Sequence, residues 1–158
     1  MKFSLKLLAL GAALAIAAIG STGALAVEKE QVIKDRQALM KQQGAAMEAI
    51  KGFLGGKNDE AKALSAATDL TGTMKKISDV FPPDTAGPNP DGKYTTKPEI
   101  WTDAKGFEAA RSTAAEKANA LLAAVKGGDK AAIQTAFGDL GKNGCGACHE
   151  KFREEIKK

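Results

Sequence analysis

From about residue 27 onward the sequence predicts an all-α protein, an antiparallel four-helix bundle with up-down-up-down connections. Three observations carry that prediction. The chain is rich in Ala, Lys, Glu and Leu and holds one Trp, one Tyr and six Phe in 158 residues, a balance that favours helix over strand. Four segments repeat their apolar residues at three- and four-residue steps, the mark of an amphipathic helix, and no stretch alternates convincingly at period two. Glycine pairs and a single proline-rich stretch separate the segments, so all connections but one are short. Helices of similar length with seams near seven-residue spacing pack as a bundle, and bundles bury cofactors between facing helices.

The bundle is preceded by a leader. Lys2 and Lys6 give a basic start, Leu7 to Ile19 is almost wholly Leu, Ala, Ile and Gly, and Ala24-Leu25-Ala26 is a small-x-small cleavage site. Residues 1–26 thus read as a secretory signal peptide, the apolar run being short for a membrane anchor. Its removal from 158 residues leaves 132, one ordinary domain over 27–158 with a single core. No segment of 27–158 is apolar for long enough to span a bilayer, so the mature chain is expected in solution outside the cytoplasm, in a bacterium the periplasm.

The first helix is expected at about 28–54, with Ile33, Met40, Met47 and Leu54 on one seam and Gly55-Gly56 as its stop. In the second, at about 58–80, Ala63, Ala67, Leu70, Met74, Ile77 and Phe81 share a face, and Pro82-Pro83 ends it for want of backbone donors. Residues 82–97 hold four of the five prolines and Asn89-Pro90-Asp91-Gly92, and form the one long loop. The third helix, about 98–126, starts on Pro98, carries Ile100, Ala104, Phe107, Ala114, Ala118, Leu121 and Val125, and stops at Gly127-Gly128. The fourth starts with Asp129 as N-cap, carries Ile133, Phe137 and Leu140, and resumes through Phe152 and Ile156 after Gly141–Gly144.

On its last turns lies Cys145-Gly146-Ala147-Cys148-His149. Two cysteines three apart with histidine next suit covalent haem attachment: both thiols add to the haem vinyl groups while the imidazole turns to the iron. An exported chain is where such attachment takes place. A thioredoxin-like disulfide motif expects a β-α-β context that this chain lacks. A structural zinc site needs four ligands, and the chain has two cysteines and one histidine. With that histidine committed to iron, histidine-based hydrolase chemistry has no centre.

The single histidine also excludes bis-histidine ligation, so the iron's sixth position takes a methionine, an unusual ligand such as lysine, or nothing. Few residues follow His149, so a protein ligand comes from upstream, where Met40, Met47 and Met74 are available. Arg36 lies one turn before Met40 on the same face. A cation in a bundle interior needs an anion, which haem propionates would supply; the alternative is an exposed Arg36 that covers the seam with its stem. The net charge of +4 falls to about +2 without Lys2 and Lys6, and the propionates bring it near neutral, which gives a nucleic-acid partner poor support.

These residues resemble the class II c-type cytochromes, the cytochrome c prime family and its methionine-ligated low-spin relatives. The resemblance covers 28–156 and rests on Arg36-Gln37-Ala38-Leu39-Met40, on the proline-rich loop into Pro98-Glu99-Ile100-Trp101, and on Cys145 to Arg153, with the haem motif near the C-terminus. It implies one haem c held by thioethers at Cys145 and Cys148, His149 as proximal iron ligand, Arg36 near a propionate and Arg153 on the proximal side. Met40 matches the family's distal position, apolar in the high-spin branch and an iron ligand in the low-spin branch. Leu39-Met40-Lys41 and residues 93–107 are nearer the low-spin branch. A bound Met40 implies an electron carrier, not an enzyme, with redox partner proteins that the sequence does not identify. An unbound Met40 implies a five-coordinate haem that takes NO or CO. The family also pairs through its first two helices, so a homodimer is a further expectation. A haem-free helical protein with a disulfide is the third class, and the visible spectrum separates the three.

Overall fold

A computed structural model of the chain describes residues 21–157, with side chains from Glu28 onward. Residues 1–20 of the predicted leader lie outside the described residues. Helix α1 runs Ser21–Leu54 and ends where Gly56 takes φ +74°, a left-handed turn that glycine adopts without steric cost. Asp59 then caps α2, Glu60–Met74, by accepting a hydrogen bond from the Lys62 N–H at 2.9 Å.

The predicted second helix is shorter than expected. After Met74 the chain tightens through a turn into a 3-10 segment, Ser78–Val80, and Phe81 leaves the helical region at φ −128°. Phe81 precedes a proline, whose ring crowds the preceding residue out of helical geometry. The expected third helix is broken in two. Helix α3 is Glu99–Thr102, Asp103 leaves helical geometry at φ −117°, and α4 runs Ala104–Gly127 with Asp103 as its cap. Gly128 at φ +74° closes α4 and Asp129 opens α5, Lys130–Asp139, accepting from Ala131 and Ala132.

The fourth helix does not stop at its glycines. It widens to a π-helical stretch over Leu140–Gly146 and continues as α6, Ala147–Phe152. A Cβ on Gly144 would lie 2.8 Å from Leu140 Cδ1 and 3.4 Å from Ala114 Cα, so any larger residue there must push the Leu140 side chain aside while the wide turn stays in contact with α4. The expected run of helix through Ile156 is replaced by a strand. Tyr94–Thr96 (β1) pairs antiparallel with Arg153–Glu155 (β2), in the register Tyr94↔Glu155, Thr95↔Glu154 and Thr96↔Arg153. The predicted loop therefore holds a strand, reached through a turn in which Gly92 N–H donates to Asn89 carbonyl at 2.8 Å. Three-residue strands made by residues nearly sixty positions apart leave no local alternation to read.

Helix α1 packs on α2, α2 on α4, α4 on α5 and the π-helical stretch, and α5 back on α1, which closes the four-helix bundle. Its core joins Leu39, Ile50, Phe53, Leu70, Met74, Leu121, Val125, Ile133 and Leu140. The buried line of α1 is Ile33, Arg36, Leu39, Gln43, Ala46, Ile50 and Phe53, whereas Met40, Met47 and Leu54 are half-buried. The α1 seam thus differs in phase from the Ile33-Met40-Met47-Leu54 reading. Met40 and Met47 flank the packed line because they face a cavity. No helix among the described residues is long and apolar enough to cross a membrane.

Candidate haem-binding cavity

The cavity, of about 260 Å³, lies where α1, α4, the end of the fourth helix and β1 converge. Helix α1 contributes a stripe of Arg36, Gln37, Met40, Gln43, Gly44 and Met47, spaced so that all fall on one side of a helix. The opposite wall is Gly141, Gly144, Cys145, Cys148, His149, Phe152 and Arg153. Every residue that the sequence singled out for cofactor or metal binding therefore meets at one cavity, together with all three upstream methionines of the mature chain.

The π-helical stretch sets the pose of the cysteine motif. A π turn inserts an extra residue per turn, which re-aims the side chains that follow it. Here it carries Cys145, and Cys148 and His149 follow within the first three residues of α6. Both cysteines are free and half-buried. Burial pushes both thiols above the ordinary range, with Cys145 adding to the effect on Cys148. Burial, and then the charge of Arg153, push His149 down to about 4, so at neutral pH its imidazole is uncharged, the form that binds metal.

Arg36 is buried, and its guanidinium is held by the loop after α2. Nε donates to the Val80 carbonyl at 2.8 Å, one terminal nitrogen to the Thr85 carbonyl at 3.2 Å and the other to Thr85 Oγ1 at 2.7 Å. The group also stacks 4.3 Å from the Phe81 ring centre. Burial alone lowers its pKa to about 10, which leaves it charged at neutral pH. Three of its five N–H groups have protein acceptors and no carboxylate pairs with it among the described residues. A buried cation in that state suits an anionic group entering the cavity.

Arg153 does not continue a helix. It starts β2, exposed to solvent, with its guanidinium 4.1 Å from the Tyr94 ring centre. Further hydrogen bonds fasten the ribbon at this end of the cavity: Lys97 N–H donates to Phe152 carbonyl at 3.0 Å, and Ile156 N–H to Lys93 carbonyl at 2.9 Å. Trp101 Nε1 donates to the Phe81 and Pro82 carbonyls and ties the loop to α3. Phe81, Phe107 and Phe152 form a chain of edge-to-face contacts at 5.1 and 5.2 Å along the same wall. Sequence reading found those three as apolar seam residues but not as cavity lining, and it missed Tyr94–Thr96 and Arg111, which also line it.

The donor set fits a haem. Two uncharged thiols precede a neutral imidazole in the order covalent attachment needs, Met40 and Met47 of α1 line the same cavity, and a guanidinium with no carboxylate partner lies on it. Among the described residues no group of three or more His, Cys, Asp or Glu gathers as a metal cage.

Comparison with known proteins gives the same reading. A family model described as Cytochrome C' matches residues 31–153. A cytochrome c' from Rubrivivax gelatinosus is 38% identical over 98 residues, 61% of this chain and 72% of that protein. Cytochrome c-556 from Rhodopseudomonas palustris is 27% identical over 137 residues, 85% of this chain and 90% of that one. Among solved structures, a nitric oxide complex of a cytochrome c prime variant from Alcaligenes xylosoxidans superposes with a TM-score of 0.71 at 27% identity, covering 82% of this chain and 97% of that one. With a match that spans most of the sequence and a cavity built around Cys145, Cys148 and His149, the chain belongs to the cytochrome c' family, the class II c-type cytochromes, whose members carry a covalent c-type haem.

Proposed function

We propose that this chain is an exported, periplasmic carrier of single electrons, released from its leader near Ala26. In this reading Cys145 and Cys148 hold the haem by thioethers, His149 is the proximal ligand and Met40 the distal one. Arg36 binds a propionate and Arg153 guards the proximal side. One observation carries the proposal: a single cavity is lined on one wall by the cysteine motif with its neutral histidine, and on the other by Arg36 and Met40.

The bound haem supplies an iron that gains and loses one electron. The chain's own residues do the rest. His149 offers a lone pair because burial keeps it unprotonated. Met40, half-buried on the cavity's rim, offers a soft sulfur, and a ligand present in both oxidation states keeps rearrangement small and tends to raise the potential. The phenylalanine wall keeps water from the centre, and Arg36 brings a fixed positive charge.

A second reading, a five-coordinate haem that binds NO or CO, is favoured by one observation. The Alcaligenes relative was solved with nitric oxide. The two readings separate in the visible spectrum of the purified holoprotein. We expect a sharp low-spin α-band in the ferrous form and conversion to high-spin in Met40→Ala. A wild-type protein that lacks the band and takes up CO readily would replace electron transfer with gas binding. An unchanged low-spin spectrum in Met40→Ala would move the ligand to Met47, Met74 or a lysine.

A further inference from the structure

One buried polar group on the cavity wall has no role in this scheme. Gln43 is 8% exposed, lines the cavity, and its amide Nε2 has no hydrogen-bond partner among the described residues. Its neighbours on the buried line of α1, Leu39, Ala46 and Ile50, are apolar. An unmet donor in such surroundings is costly, and an apolar side chain would fill the position at less expense. As placed, Nε2 is shut off from the open space of the cavity, and a half-turn of the amide brings it there for an acceptor that enters.

Its position narrows what that acceptor is. Gln37 also has an unpartnered amide nitrogen, but it adjoins Arg36, at the end of the stripe anchored to Val80 and Thr85. Gln43 lies seven residues further, about 10 Å along the helix, away from the end where an anion would be held. The cavity-lining residues one turn to either side of it are Met40 and Met47. We propose that Gln43 donates a hydrogen bond to the atom at the iron's sixth position, the Met40 sulfur or the outer atom of a small ligand in its place. The inference rests on the haem reading of the cavity, with α1 on the distal side.

Gln43 is then a positioning residue that sets the strength of the distal bond. A donor on the thioether withdraws electron density from the iron and favours its reduced form, and a donor on a diatomic ligand slows that ligand's escape. No bond is broken in either case.

The test uses Gln43→Leu, which keeps the bulk and removes the donor, beside Gln43→Asn, which keeps an amide. In the holoprotein the leucine variant should have a lower potential than wild type if Met40 is bound. If a small ligand is bound instead, the ferrous CO adduct should show a raised C–O stretching frequency and CO loss roughly two- to tenfold faster, the range one neutral hydrogen bond spans. The asparagine variant should fall between. A leucine variant with unchanged potential, C–O stretch and CO release overturns the proposal, and a lowered holoprotein melting point beside those unchanged values would make Gln43 a packing residue. Loss of the haem reading itself would be seen separately, as wild-type protein with no Soret band after acid-acetone extraction.

Discussion

Gly144 is a single residue on which the cavity's geometry depends. Its absent Cβ would press on Leu140 Cδ1 at 2.8 Å and touch Ala114 Cα at an ordinary 3.4 Å, so the fourth helix lies close against α4, and Cys145 follows at once. We expect Gly144→Val to cost about 1–3 kcal/mol by overpacking, read as a lowered thermal midpoint. Cys145, Cys148 and His149 were legible from sequence because covalent attachment needs its groups at fixed local spacing. Arg36 and Met40 were legible as one face of a helix. The phase of that face was not, because a cavity wall is as apolar as a packed seam and periodicity does not tell the two apart. The burial of Gln43 was invisible because a glutamine beside Lys41, Gln42 and Gly44 reads as surface.

At the scale of elements, the break at Asp103 connects the bundle to the site. One oxygen of its carboxylate accepts from Gly106 N–H at 3.0 Å and caps α4, while the other pairs with Lys151 of α6 at 2.6 Å. Lys151, and then the Gly106 hydrogen bond, hold this carboxyl below its usual range. The folded state therefore binds fewer protons than the unfolded chain in that window, so Asp103 adds stability above the ordinary carboxylate pKa near 3.9 and loses it as pH falls through the lowered value. Asparagine caps almost as well as aspartate, so Asp103→Asn removes the charge and leaves the cap. Its melting point should lie below wild type at pH 7 and converge with it in acid, as thermal melts across that range would record; a gap that persists at low pH would assign the effect to packing. The helices themselves were readable because each is written locally, in caps such as Asp129 and stops such as Gly55-Gly56. The β1–β2 ribbon was not, since its two strands are meaningless until the fold brings them together.

At the scale of the whole molecule, the core begins well inside the chain. Ile33 is the first buried side chain among the described residues, and the family match starts at residue 31. A chain beginning at Val27 keeps every buried side chain among the described residues and should melt cooperatively, and N-terminal sequencing of the exported protein should begin at or near Val27. The walls of the cavity have a further consequence for how the protein is made. One is built from residues 36–47 and the other from 141–153. A chain that emerges N-terminus first presents its arginine and methionine long before its cysteines exist, and closing so long a span is entropically slow. The cysteines arrive last, on a segment not yet pinned by its partner strand. A cofactor bonded at Cys145 and Cys148 and faced by Arg36 and Met40, as proposed, would join the first helix synthesised to the last, and its capture and the closing of the bundle would become parts of one assembly step.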